Sequence, residues 1–149
     1  MMRLAFGTAL VATAAFAGDF KATCPVSGAA AKEDHKVEKD GKTVYFCCDN
    51  CPTKFEKDPK KFTAQVNYQL LQTHQIKQKA CPFTGQKCDP ETKTKVGKGE
   101  VEVCFCCEKC QGKVKDAKPA EQVNMVFKDI KKGFEVVKKK DKEEKKDAN

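Results

Sequence analysis

The apolar residues of the chain fall into runs of different period, and each run predicts an element. Leu4 to Ala17 carries no charge and is rich in Ala, Leu, Val and Phe. Lys42 to Phe46 is a short β-prone run after Asp40-Gly41, the signature of a hairpin turn. Val101 to Phe105 repeats this arrangement after Gly97 and Gly99. Pro52 to Lys57 reads as a short helix. Asp58-Pro59 stops it, because the residue before a proline is pushed out of the helical region. Ala64 to Lys79 predicts a longer helix with Val66, Leu70, Leu71 and His74 on one face. Val123, Val126, Phe127, Ile130, Phe134 and Val137 recur at three- and four-residue steps, which predicts a helix over 120–137 interrupted at Gly133. Lys138 to Asn149 has no apolar residue except Ala148 and is expected to be a disordered, charged tail.

These runs repeat. Cys24-Pro25-Val26-Ser27-Gly28 returns as Cys81-Pro82-Phe83-Thr84-Gly85, offset by 57. Phe46-Cys47-Cys48-Asp49-Asn50-Cys51 returns as Phe105-Cys106-Cys107-Glu108-Lys109-Cys110, offset by 59. Gln65-Val66-Asn67 returns as Gln122-Val123-Asn124, at 57 again. Three blocks in the same order mark an internal duplication. Copy two gains two residues in its middle and loses two after its cysteine cluster. In both copies Cys-Pro-x-x-Gly is a turn, with Pro fixing φ and Gly permitting the left-handed conformation. The expected fold is α+β: two tandem treble-clef or zinc-knuckle-like modules, each a β-hairpin plus short helix followed by a longer helix. The modules are 18–63 and 81–119, the connecting helix is 64–80 and the C-terminal helix is 120–137.

The N-terminus has the layout of a secretory signal peptide over 1–17. Met1-Met2-Arg3 is weakly basic, the uncharged run follows, and Ala15-Phe16-Ala17 is an A-x-A cleavage site. The mature chain is expected to be exported, to a periplasm or outside the cell, with all ten cysteines retained. No apolar run reaches the roughly 18 residues that a membrane span needs.

Ten cysteines in 149 residues indicate sulfur chemistry or metal. Eight match between the copies: Cys24 with Cys81, Cys47 with Cys106, Cys48 with Cys107, and Cys51 with Cys110. Cys88 faces Ala31 and Cys104 faces Tyr45. Two unmatched cysteines in one copy suggest a Cys88–Cys104 disulfide, and Cys104 as an extra ligand is the rival reading. In each matched set one thiol comes from a Pro-Gly turn and three from a Cys-Cys-x-x-Cys cluster. Four thiolates from two short segments can close a tetrahedral Zn²⁺ site, and thiolates are also preferred by Cu⁺. Adjacent cysteines point in different directions, so the spacing leaves open which of each pair is a ligand. Two disulfides per copy are the alternative in an oxidising compartment. Cysteine doublets after an aromatic strand are more natural for coordination.

The stretch from Cys24 to Gly28, then Val44-Tyr45-Phe46-Cys47, Cys51 and Lys54-Phe55-Glu56-Lys57-Asp58-Pro59-Lys60-Lys61-Phe62, resembles a YHS/TRASH-type domain. The resemblance implies small metal-binding modules used in transition-metal sensing, trafficking or resistance, often with copper or zinc. It implies ligands Cys24, Cys47 and Cys51, and by the repeat Cys81, Cys106 and Cys110. Copy two departs from the pattern, with Val114-Lys115-Asp116 in place of Phe-Glu-Lys-Asp-Pro.

Other chemistries fit less well. Cys51 is followed by Pro52 and Cys110 by Gln111, which excludes a Cys-x-x-Cys-His haem site. A redox dithiol at Cys48-x-x-Cys51 or Cys107-x-x-Cys110 lacks a surrounding thioredoxin-like βαβ pattern. His35 and His74 are expected to be solvated or packing residues, although His35 lies in the loop between Cys24 and Cys47. The net charge of +8 comes from lysines interleaved with acids, and Arg3 is the only arginine, which argues against nucleic acid. The expectation is a non-enzymatic, exported protein holding one Zn²⁺ or Cu⁺ per module, with an envelope metal-handling protein as a possible partner.

Overall fold

The structure is a computed structural model and describes residues 20–99 and 101–137. The expected signal peptide and charged tail lie outside the described residues. Two hairpins, four helices and a short closing ladder make up the α+β fold. β1 (Lys32–Lys39) pairs antiparallel with β2 (Lys42–Phe46), and β4 (Asp89–Val96) pairs antiparallel with β5 (Val101–Phe105). The two registers correspond residue for residue. Lys36 opposes Tyr45 in one and Lys93 opposes Cys104 in the other, and a bulge follows the first pair in both ladders. The first turn is Asp40-Gly41, with φ of 53° and 71°, as a two-residue primed turn requires.

The changes in repeat offset fall at loops. The two extra residues of copy two lie in the second hairpin turn, which wraps the Tyr68 hydroxyl. That hydroxyl donates to the Val96 carbonyl at 3.1 Å and accepts from the Gly99 N–H at 2.8 Å. The two missing residues lie between the helices. Copy one has α1 (Asn50–Lys57), a 3₁₀ turn at Pro59–Phe62 and α2 (Thr63–Gln72). The Asp58 carboxylate caps the 3₁₀ turn by accepting from the Lys61 N–H, so Asp58-Pro59 ends α1 as expected. In copy two, α3 (Glu108–Lys115) runs through three residues into α4 (Pro119–Phe127).

Both longer helices are shorter than the periodicity predicts. The helix expected to reach residue 79 stops at Gln72. His74 adopts φ 55°, His74 N–H reaches the Leu71 carbonyl and Gln75 N–H the Leu70 carbonyl. This is a left-handed helix stop of the kind usually served by glycine, so the sequence gives no warning of it. Residues beyond it form β3 (Ile76–Gln78). The helix expected over 120–137 ends at Phe127, and the chain turns at 131–133 into β6 (Phe134–Val136). β3 and β6 pair antiparallel, with Lys77 and Glu135 bridged at 3.3 Å. Val123, Val126 and Phe127 reach the core from α4, whereas Phe134, which extended the stripe, reaches it from a strand.

Gly133 has a steric reason. A Cβ there would stand 2.6 Å from Pro82 Cα and 3.1 Å from the Ala80 carbonyl oxygen. The Gly133 carbonyl accepts from Lys79 and Ala80 N–H. Gly133→Ala should force this strand off the Cys-Pro turn and cost about 1–3 kcal/mol, read as a lower urea midpoint with an unchanged m-value.

The apolar core is unevenly shared. Seven residues bury around the first hairpin: Ala22, Cys24, Ala31, Val44, Phe46, Cys51 and Phe55. Fourteen bury in the second cluster, which draws Tyr68 and Leu70 from α2 together with Val103, Phe105, Val114, Val126 and Phe127. Tyr68 and Phe127 meet edge to face at 5.4 Å. The helix that follows copy one thus packs largely against copy two.

Candidate metal centres

Each Cys-Pro turn is built to present a sulfur. Gly28 (φ 73°) donates its N–H to the Cys24 carbonyl at 2.9 Å, and Gly85 (φ 75°) does so to Cys81 at 2.8 Å. Cys24 N–H bonds back to the Ala29 carbonyl and Cys81 N–H to Gln86. The closed turn aims Cys24 Sγ at the end of β2 and the first turn of α1, where Cys47 and Cys51 wait. The sulfurs of Cys24, Cys47 and Cys51 lie within 4.8 Å of one another, and so do those of Cys81, Cys106 and Cys110. In both sets the first and third cysteines are buried and the second is half-buried.

The fourth matched cysteine of each set flanks this trio. Cys48 Sγ is 3.7 Å from Cys47 and 3.5 Å from Cys51, and Cys47 is 3.6 Å from Cys51. In copy two, Cys106 is 3.8 Å from both Cys107 and Cys110. Cys48 and Cys107 do not join the groups that include Cys24 and Cys81. Cys107 is exposed and Cys48 half-buried. Zn–S bonds of about 2.3 Å put the sulfurs of a tetrahedral site about 3.8 Å apart. The Cys47–Cys51 separation of 3.6 Å and the Cys106–Cys110 separation of 3.8 Å match that spacing, and the third sulfur of each trio lies within 4.8 Å, so the residues present fit a thiolate-bound metal ion. Cys24, Cys47 and Cys51 would hold it in one centre, and Cys81, Cys106 and Cys110 in the other.

Hydrogen bonding prepares the thiolates. Burial raises the Cys24 thiol, but the Ser27 hydroxyl and the N–H groups of Ser27, Val26 and Cys47 outweigh it and hold the group at about 7. Cys81 reaches about 7 in the same way. There burial is opposed by the Thr84 N–H and hydroxyl and by the N–H groups of Phe83 and Cys106. Hydrogen bonds from Cys51 and the Asn50 N–H lower Cys48, and those from the Cys110 N–H and thiol lower Cys107. Burial and the neighbouring sulfurs push Cys51 well up and Cys110 to about 12. Burial and the neighbouring sulfurs thus favour the protonated form of Cys51 and Cys110, while Cys24 and Cys81 are the readier thiolates. A cation among them removes the repulsion between neighbouring thiolates.

Ser27 and Thr84 touch the clusters and were missed by the cysteine pattern. Ser27 Oγ lies 3.1 Å from Cys47 Sγ, and Thr84 Oγ1 lies 3.3 Å from Cys106 Sγ. Each hydroxyl also accepts a backbone N–H two residues on, at 3.2 Å. Such outer contacts orient metal-binding sulfurs. The signal was present in the repeat, where Cys-Pro-x-[Ser/Thr]-Gly keeps a hydroxyl at the fourth position.

The histidines stand apart from the trios. His35 Nδ1 pairs with Asp49 at 2.7 Å, and His74 forms the exposed end of α2. Cys88 and Cys104 are brought together beside the second centre. Cys88 Sγ donates to the Cys104 carbonyl at 3.4 Å, and Cys104 Sγ donates to the Asp89 carbonyl at 2.9 Å. Both are free thiols. Among the described residues no helix is long and apolar enough to cross a membrane.

No curated protein and no solved structure matches the chain. The second half, with its own three-sulfur cluster, lies outside the family match made by the first half. That match is to the YHS domain model over residues 22–66, the stretch that contains the first hairpin, α1 and all three sulfurs of the first cluster.

Proposed function

We propose that the protein is an exported transition-metal-binding protein that captures, buffers or delivers zinc or copper(I). One ion would sit in each cluster, and 81–119 would be a diverged second copy of the YHS-type module. The observation that carries this reading is the double convergence of three cysteines from matching elements. An all-sulfur donor set suits Zn²⁺ and Cu⁺ and is wrong for Ca²⁺ or Mg²⁺. The YHS match supports metal binding for the first half. The A-x-A layout of the N-terminus supports export, and a metal-handling protein of the cell envelope is the partner this places within reach.

The test is metal content and thiol state measured together on protein purified from its native compartment. The expected result is two ions per chain. Cys24→Ser or Cys51→Ser should lower it to one, and so should Cys81→Ser or Cys110→Ser. Eight matched cysteines found as disulfides in a metal-free chain would sink the proposal.

A further inference from the structure

Cys88 and Cys104 have no counterparts in the first half, where Ala31 and Tyr45 stand. They are the two cysteines outside both clusters, and the fold sets them side by side. Their positions in the chain matter. Cys88 lies three residues past Gly85, at the exit of the turn that carries Cys81. Cys104 lies two residues before Cys106, on β5. One amide already links these segments. Gln78 Oε1 accepts from the Cys104 N–H at 2.9 Å, and its Nε2 donates to the Cys104 carbonyl at 2.6 Å. The same Nε2 reaches the Ala80 carbonyl at 3.0 Å, next to Cys81, and Cys88 Sγ at 3.6 Å.

We infer that Cys88 and Cys104 form a reversible disulfide that locks together the two segments carrying the second centre, so that this half alone binds metal in a redox-dependent way. The oxidant is a low-molecular-weight disulfide of the glutathione class. One cysteine thiolate attacks a sulfur of that disulfide, its S–S bond breaks, and one small thiolate leaves. The second cysteine attacks the mixed disulfide and releases the other. Two electrons pass from the cysteines to the small disulfide, and the two cysteine protons end on the two small thiols. The new bond closes a short loop and holds the Cys81 turn against the end of β5 before metal arrives. Constraining the metal-free chain in this way raises apparent affinity without a new ligand. The bond itself stands independently of the proposed metal role, whereas its effect on affinity rests on that role.

The experiment uses the full chain loaded with Zn²⁺ and exposed to oxidised glutathione. Differential alkylation and peptide mapping then locate any linkage. The expected product is a Cys88–Cys104 crosslink, with the eight cluster cysteines alkylatable once the metal is chelated. Absence of the crosslink, or crosslinks from Cys88 or Cys104 into the clusters, would overturn the inference. The Cys88→Ala/Cys104→Ala variant should still bind as many zinc ions as the parent, and a lower count would make the pair metal ligands instead. Against a chromogenic chelator, one zinc should be held on the order of tenfold or more tightly in the oxidised chain than in the reduced one. The double variant should behave like the reduced chain, and equal loss from both redox forms would overturn the lock. The crosslink is read by mass with or without zinc, so a chain that takes up no metal counts against the metal role alone.

Discussion

Stripping the metal from the folded chain should unfold residues 22–66 first and most completely. The first hairpin is buried by only seven residues, and two of them, Cys24 and Cys51, belong to the sulfur cluster itself. The large apolar side chains left are Val44, Phe46 and Phe55, each worth about 1.5–3 kcal/mol when buried. A structural thiolate-bound zinc supplies about 10–16 kcal/mol at neutral pH. An ion held that strongly would outweigh these three side chains together. Without it, neighbouring thiolates repel and Cys51 must carry a proton in a buried position. The second half has fourteen buried residues, including Phe105, Val114 and Phe127, and should keep part of its structure. Hydrogen exchange after chelation is the measurement. Amides of β1 and β2 should exchange at once, while those of α2, α4 and β5 stay slower. Lasting protection across Lys32–Phe46 in the metal-free chain would show that apolar packing alone holds the hairpin.

Gln69→Ala should be the most damaging substitution outside the cysteines, at about 3–5 kcal/mol. Gln69 is fully buried on α2. Its Oε1 accepts from the Tyr45 N–H at 2.8 Å, and its Nε2 donates to the Tyr45 carbonyl at 2.6 Å and the Thr23 carbonyl at 3.0 Å. Removing the amide strands three backbone groups, each costing about 1–3 kcal/mol when buried without a partner, and leaves a void. Gln69→Met refills much of the volume but supplies no hydrogen bonds, so it should recover little. Urea unfolding of the metal-loaded chain measures both. A loss below about 1 kcal/mol for the alanine variant would mean that water takes over the amide's role.

The repeat, both hairpins, the short helices and the two cysteine clusters were legible in the sequence, because each rests on local chemistry. Proline and glycine fix the Cys-Pro turns, Asp40-Gly41 fixes a two-residue turn, and ligand spacing fixes the clusters. Three features were hidden. His74 ends α2 in a conformation usually reserved for glycine, so the apolar periodicity ran on past the true stop. Phe134 and Val137 extended a helical stripe by coincidence of spacing, although a strand delivers Phe134 to the core. The glutamine amides were invisible to the alignment because they come from unlike places. Gln69 on α2 clasps Tyr45, and Gln78 on β3 clasps the equivalent residue, Cys104. Only the folded chain shows that the two perform the same task.

The position of α2 bears on how the chain can be divided. The YHS match ends at residue 66, and a fragment cut there would contain every sulfur of the first cluster. It would lack Gln69, Gln72 and Gln75, whose amides pair with Tyr45, Thr23 and Thr43. The outer edge of β2 would then present bare N–H and carbonyl groups, a template for pairing with other chains. Such a fragment could bind its ion and still precipitate. Extending it to residue 75 restores the amides but exposes Tyr68 and Leu70, which the second half normally covers. The smallest soluble piece that carries the first centre is therefore close to the whole described chain. What reads in the sequence as two beads on a string is, in assembly, a single interlocked unit.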